Sequence, residues 1–233
     1  MSVWLCIPSK RSEAEGTLPA WRERGYRIAV VRENGDGPTC SDYSVVVPEY
    51  LGWARSTNLL IRALIIEEPD AQWFVIGGDD ILPDENKTAD EIEEQCTTHF
   101  RGTIGVMQPT GDRWGDRGDM HGAVIDRICG SAWLGYGFCR RANLGTGPLH
   151  EGYYHNFADE ELQHVAQRLG ILWQRRDLVQ YHRHWARMSG GQRSAMPAWA
   201  AKINDPKRSD WYKSQALFQE RKKAGFPGSE LLP

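Results

Sequence analysis

Trp73-Phe74-Val75-Ile76-Gly77-Gly78-Asp79-Asp80-Ile81-Leu82-Pro83-Asp84 is the stretch that decides the fold. Four bulky apolar residues in a row suit a strand buried on both faces of a parallel sheet. Gly77 and Gly78 then let the backbone turn and leave room for a ligand against the main chain. Asp79 and Asp80 follow at the carboxyl end of the strand, where open α/β sheets bind ligands. Two adjacent carboxylates repel each other unless something positive stands between them, and a hard divalent cation carrying a substrate diphosphate meets that need. A turn with an Asx cap is the simpler alternative. An Asp-Asp-x-x-Asp metal box on a helix is rejected, because Pro83 and the paired glycines do not suit a helix interior.

Outward from this strand the chain alternates between the two periodicities. Val3 to Pro8, Tyr26 to Arg32, Ser44 to Pro48 and Ile104 to Gln108 read as strands. Leu18 to Arg24 reads as a short helix. Ala54 to Glu67 has apolar residues at helical spacing and is stopped by Pro69. Lys87 to Phe100 is a helix with Thr88 as cap and Glu91 three residues on. Residues 109–122 hold few aliphatics and read as a mobile loop carrying Trp114 and His121. Ser131 to Cys139 reads as a strand, Asp159 to Leu169 as a helix closed by Gly170, and Leu172 to Gln174 and Leu178 to His182 as short strands. A last helix runs from about Trp211 to Ala224. This order is that of an open, mainly parallel α/β sheet flanked by helices. No Gly-x-Gly-x-x-Gly or Walker motif opens a helix, so a nucleotide is not expected to bind in the dinucleotide or P-loop manner.

Composition narrows the class. The chain has 233 residues with 40% hydrophobic content, enough for one large domain. We expect a catalytic domain over residues 1–188 and a basic extension over 189–233 packed on the same domain. No apolar run approaches the roughly 18 residues that span a bilayer, and the N-terminus lacks a signal pattern. Five cysteines without a Cys-x-x-Cys pair favour reduced thiols in a cytoplasmic setting. Charge is uneven: residues 1–170 carry 16 Lys and Arg against 26 Asp and Glu, and residues 171–233 carry 12 against 5. The basic segment suggests contact with an anion, a nucleic acid or a nucleoside diphosphate. A solvated helix surface is the plain alternative.

Four short features in this order resemble the GT-A nucleotide-sugar glycosyltransferases, particularly their family-2-like inverting branch. The first strand ends in Ile7-Pro8-Ser9-Lys10-Arg11, and Arg55, Ser56 and Asn58 open the helix before the acidic strand. Gly78-Asp79-Asp80 stands in place of the family's Asp-x-Asp. Downstream come Gly130-Ser131-Ala132-Trp133, Arg140-Arg141 and Phe157-Ala158-Asp159-Glu160-Glu161-Leu162, similar to the family's acceptor segment and its Glu-Asp helix. The resemblance covers residues 3–185. It implies a GT-A-like single domain and a nucleoside diphosphate sugar donor, expected to be a UDP-sugar. Pro8, Ser9, Arg11, Arg55, Asn58, Asp79 and Trp133 would then border the donor. Within that resemblance the size and basic tail also resemble the phage and TET-associated enzymes that glycosylate hydroxymethylated pyrimidines in DNA.

Glycosyl transfer needs the departing diphosphate neutralised, the acceptor hydroxyl deprotonated and both held in line. Asp80, with Asp79 beside it, suits Mn²⁺ or Mg²⁺. In Tyr181-His182-Arg183-His184 the two histidines fall on one face of a strand, so His182 and His184 are further ligand candidates, against a packed or surface histidine. Asp159 and Glu160 open a helix, where a carboxylate is held charged. By the resemblance one of them takes the acceptor proton, Asp159 being preferred, and a base there implies inversion; simple capping is the alternative. Trp133, Tyr136 and Trp53 are stacking candidates or core. Arg140-Arg141 is expected to face a phosphate or to pair with Asp159 or Glu160. A DNA acceptor would engage Arg183, Arg187, Arg193, Lys202, Lys207 and Arg208. A sugar nucleotidyltransferase ranks lower, because no Gly-rich loop follows the first strand. A non-catalytic nucleic-acid or glycan-binding module would not need the paired carboxylates.

Overall fold

A computed structural model describes residues 2–9, 14, 16–34, 36–38, 40–112, 127–183 and 210–233. Strands β1 (Ser2–Pro8), β2 (Arg27–Glu33), β3 (Tyr43–Val47), β4 (Ala71–Ile76), β6 (Val106–Pro109), β7 (Trp133–Gly135) and β8 (Leu172–Arg175) form one seven-stranded sheet in the order β3-β2-β1-β4-β7-β6-β8. β7 pairs antiparallel with both its neighbours, and the other pairings are parallel. A two-stranded ribbon joins β5 (Ile81–Leu82) to β9 (Tyr181–His182). The helices are α1 (Leu18–Glu23), α2 (Trp53–Glu67), α3 (Ala89–Phe100), α4 (Tyr136–Arg141), α5 (Ala158–Arg168) and α6 (Asp210–Lys223). The expected open, mainly parallel α/β sheet flanked by helices is the fold found.

The unbroken apolar run of β4 follows from its central place. Phe74 and Ile76 face one core with Trp4, Cys6, Ala29 and Val31, while Trp73 and Val75 face the other with Val3, Leu5, Ile7, Ile28 and Val30. On the first face lie α2, α4, α5 and α6, through Leu60, Phe138, Leu162 and Phe218. On the second lie α1 and α3, through Leu18, Trp21, Ile92 and Cys96. Each such side chain, fully buried, contributes roughly 1.5–3 kcal/mol, so a strand that loads both faces anchors the domain. Helix ends follow local chemistry. Thr88 and Glu91 form a reciprocal capping box at α3, and Gly170 takes positive φ just past α5.

Topology then places a crevice. The chain runs outward from β1 to β2 and β3 and returns to β4 on the other flank of β1. The loops leaving the carboxyl ends of β1 and β4 therefore diverge, the arrangement that opens a ligand site in such sheets.

Three expectations are corrected. The strand expected over 131–139 is only β7, and residues from Tyr136 turn into α4. A Cβ on Gly135 would sit 2.1 Å from the Thr103 carbonyl oxygen, and the strand ends at that close approach. Of the strand expected over 178–182, only Tyr181–His182 pairs, and its partner β5 follows directly on the acidic motif. Of the loop expected over 109–122, Pro109 closes β6, while Trp114 and His121 lie outside the described residues.

Candidate active site

The acidic motif is clamped from both faces of the sheet. Trp53 Nε1, from α2, donates to the Gly77 carbonyl at 3.0 Å, and Trp21 Nε1, from α1, donates to the Ile81 carbonyl at 2.7 Å. Between them, Ser9 Oγ donates to Asp79 Oδ2 at 3.2 Å and Thr17 Oγ1 donates to the Asp79 carbonyl at 2.5 Å. Ser9 is buried and Pro8 half-buried, both at the end of β1. Asp79 is thus tied to the β1 side of the crevice. Thr17 was not singled out from sequence, because nothing local marks a threonine that reaches across a switch point.

Asp80 is held from the other side by the β5–β9 ribbon. The Arg183 amide donates to the Asp80 carbonyl at 2.7 Å, and His182 Nε2 lies 3.1 Å from Asp80 Oδ2. The His182 amide in turn donates to Asp112 Oδ2 at 3.2 Å. A Cβ on Gly78 would stand 2.7 Å from Asp80 Oδ1, so the glycine makes room for this carboxylate. The two groups are in direct hydrogen-bond contact, and a carboxylate and an imidazole side by side are the donor types that Mn²⁺ or Mg²⁺ takes. Among the described residues no group of three or more His, Cys, Asp or Glu is arranged to hold a metal. His184 lies outside the described residues. His155 is a neighbour that sequence reading missed. Burial holds its imidazole below the ordinary value, against the carboxylates of Asp210 and Asp80.

The second acid reaches the same end of the sheet by a backbone relay. The Ile76 amide donates to the Ala132 carbonyl at 3.0 Å, so the segment before β7 runs beside the end of β4. The Cys129 amide donates to the Asp159 carbonyl at 3.2 Å, which ties that segment to the first turn of α5. A Cβ on Gly130 would lie 3.7 Å from Asp159 Oδ2. The Asp159 side chain is half-buried. Desolvation by the surrounding protein, with the charge of Glu160, pushes its pKa up to about 6, against a backbone hydrogen bond from the Glu160 amide at 3.0 Å. This corrects the expectation that the helix terminus holds it charged: desolvation outweighs the dipole. Nor is Asp159 a cap, since Phe157 occupies the N-cap in left-handed geometry. Glu160 is also raised, by burial, with Arg127 and Lys222 opposing. Glu161 turns inward and is engaged by Arg221 of α6, with Nη2 to Oε1 at 2.7 Å, and by the Tyr153 hydroxyl at 2.7 Å.

Several expected site residues have other occupations. Asn58 is fully buried. Its Nδ2 donates to the Leu149 carbonyl at 2.7 Å, and its Oδ1 accepts from the Leu149 amide at 3.1 Å. Arg55 is exposed and donates through Nε to the Glu151 carbonyl at 3.1 Å, and Arg62 pairs with the Glu151 carboxylate at 2.7 Å. The start of α2 therefore grips the loop that leads into α5. Trp133 has no exposed surface: Nε1 donates to Gln180 and the ring packs edge-on to Tyr26, so the stacking role does not suit it. Arg140 and Arg141 follow Gly135, which pairs with Trp73 near the start of β4. They stand at the opposite end of the sheet from Asp79 and Asp80 and face neither these nor Asp159. Arg183 is exposed beside the site, and its Nη1 donates to the Gly16 carbonyl at 3.2 Å. Arg11, Arg187, Arg193, Lys202, Lys207 and Arg208 lie outside the described residues.

No family model matches the chain, and no curated protein matches it. Among solved structures it is similar to the catalytic domain of Drosophila beta1,4-galactosyltransferase 7 in complex with xylobiose. That match has a TM-score of 0.48 at 11% identity, over 90% of this chain and 80% of that one. A mutant of the same enzyme in complex with manganese, UDP-Gal and xylobiose gives 0.49 at 11% identity, over 90% and 82%. With scores under 0.5, neither likeness decides the chemistry of this chain.

Proposed function

We propose that the protein is a divalent-metal-dependent glycosyltransferase moving a sugar from a nucleoside diphosphate sugar, a UDP-sugar in the first instance, to an acceptor hydroxyl. One observation carries this reading. The paired carboxylates leave the central strand at a topological switch point, Asp79 turned to the β1 loop and Asp80 to an imidazole, with a carboxyl of raised pKa at the same sheet end.

In this scheme Pro8 and Ser9 border the nucleoside, and Asp79 is held ready for the ribose or diphosphate by Ser9 and Thr17. Asp80 and His182 would hold Mn²⁺ or Mg²⁺, which would supply Lewis-acid stabilisation of the departing diphosphate. Asp159 accepts the proton of the acceptor hydroxyl as the new C–O bond forms at the anomeric carbon. The bond to the diphosphate breaks, and its electron pair leaves with the nucleotide. A carboxyl titrating near 6 is ionised at neutral pH yet more basic than an ordinary aspartate, which suits a general base. Single displacement by an acceptor on the Asp159 side inverts the anomeric centre.

For the acceptor we propose a hydroxymethylpyrimidine in DNA. Arg183 is exposed beside Asp80, and the basic segment continues past it in sequence. A duplex base would have to leave the stack to reach Asp159. Among the described residues no helix is long and apolar enough to cross a membrane. The test is release of UDP from UDP-glucose and related donors with Mn²⁺, first without acceptor and then with hydroxymethylated DNA. Release that needs Mn²⁺ and Asp80 supports the transferase. If no donor is consumed under any condition, the transferase reading is wrong. Donor consumption that DNA does not stimulate removes only the DNA acceptor.

A further inference from the structure

At the end of the sheet opposite the acidic motif, a cleft of about 590 Å³ lies between the end of α3 and the helix α4. Arg101, Arg140 and Arg141 line it, with Thr103, Tyr136, Leu232 and Pro233, the Leu232 amide donating to the Arg141 carbonyl at 3.0 Å, and no Asp or Glu side chain does. Arg101 is set by the backbone, as the left-handed residue that closes α3. Arg140 and Arg141 are consecutive residues closing α4. Four other arginines are paired with carboxylates: Arg27 with Glu68, Arg62 with Glu151, Arg175 with Asp177 and Arg221 with Glu161. Among the described residues the guanidinium groups of Arg101, Arg140 and Arg141 have no hydrogen-bond or carboxylate partner.

Three like charges around one concavity, on a chain whose net charge is −3, raise each other's energy unless an anion joins them. Guanidinium forks match phosphate oxygens two at a time, and three forks exceed what one monoanion satisfies. The volume lies within the range of small-molecule clefts. A flat basic face would suit a polymer backbone, whereas a concave one suits a compact ligand. We propose that this cleft is a second anion site, separate from the acidic crevice, which binds a small ligand carrying two or more phosphate groups. The strand β4 runs six residues, from Ala71 to Ile76, roughly 20 Å, and the acidic motif follows its far end. One small ligand does not occupy both sites.

Calorimetric titration of inorganic pyrophosphate into the full chain, in EDTA and at low salt, tests this. The expected result is one binding event that survives Asp80→Asn. It weakens about tenfold in Arg101→Ser and again in Arg140→Ser, and disappears in the triple Arg101→Ser, Arg140→Ser, Arg141→Ser variant. Arg101 and Arg140 are exposed, so thermal unfolding of their single variants should match the parent and keep the test open if the triple variant folds poorly. Titration with ADP separates the two sources of a diphosphate: tighter binding than pyrophosphate, lost with the arginines, assigns a nucleotide, and equal binding assigns the bare diphosphate. Absence of binding, binding indifferent to Arg101 and Arg140, or binding lost in Asp80→Asn would overturn the proposal.

Discussion

Ser9 donates its hydroxyl hydrogen to Asp79 Oδ2 across 3.2 Å, joining the loop that leaves β1 to the loop that leaves β4. These strands are neighbours in the sheet and 70 residues apart in the chain, so the bond spans the topological switch. Ser9→Ala keeps the packing and removes the tie. We expect KM for the nucleotide-sugar to rise several-fold, on the order of 1 kcal/mol of binding, with kcat little changed. Steady-state kinetics checks this; a loss confined to kcat would place Ser9 in the chemical step instead.

Asp80 and His182 make a separable claim. Asp80→Asn keeps the shape and loses the charge that holds an ion, so turnover should fall by at least about 100-fold while far-UV circular dichroism stays unchanged. His182→Ala should raise the Mn²⁺ concentration needed for half-maximal activity, because a second ligand is lost. Full activity of the parent in EDTA would remove the metal from the scheme.

Asp159 gives a pH signature with a definite sign. Its folded pKa, about 6, lies above the ordinary aspartate value of 3.8, so its contribution to stability is complete below the lower value and is lost as pH rises through the upper. At pH 7 the ionised group costs the fold about 1–2 kcal/mol, discounted for its partial exposure. Asp159→Asn should therefore stabilise the protein at pH 7 relative to the parent, with the difference vanishing below about pH 4. Transfer should fall by about 10²–10⁴-fold, and kcat/KM of the parent should rise with an apparent pKa near 6. Urea unfolding at two pH values, with a pH–rate profile, tests both; a less stable and fully active variant would move the base to Glu160.

Why the sheet and its acidic end are legible while half the site is not can be argued from a few residues. Trp73 to Ile76 announce a doubly buried strand because burial on both faces leaves no polar position. Thr88 and Glu91 announce a helix start because a capping box is a local hydrogen-bond exchange. Phe138 and Cys139 carry no such signal. Their apolar character suits a buried strand or a short buried helix equally, and the choice is made by a distant group, the Thr103 carbonyl against Gly135. Asn58 and Trp133 show the same limit in the site. A buried amide and a buried indole bear the same letters as ligand-binding ones, and only tertiary packing sends the first to Leu149 and the second to Gln180. Thr17 reaches the motif, and His155 feels the charge of Asp80, from remote segments that no spacing rule connects to it.

The C-terminal helix makes the last claim. Arg221 of α6 places Nε 2.8 Å and Nη2 2.7 Å from the Glu161 carboxylate, whose Oε2 also accepts the Tyr153 hydroxyl at 2.7 Å. Glu161 is 3% exposed, and its hydrogen bonds hold the Arg221 guanidinium above its ordinary pKa. Phe218 packs the same helix into the core that holds α5. Removing one member leaves the other charge buried without compensation, which costs about 3–5 kcal/mol, whereas removing both with apolar replacements of similar size costs far less. Glu161→Ala and Arg221→Ala should each lower the unfolding midpoint in urea sharply. Glu161→Leu and Arg221→Met should each do the same, and the two together should recover much of the loss, giving a double-mutant coupling above about 2 kcal/mol. Glu161 lies two residues from Asp159 on α5, so the single variants should also slow transfer at temperatures where they remain folded, and the double variant less. Additive effects in the cycle would show that α6 is held by Phe218 and its apolar neighbours alone.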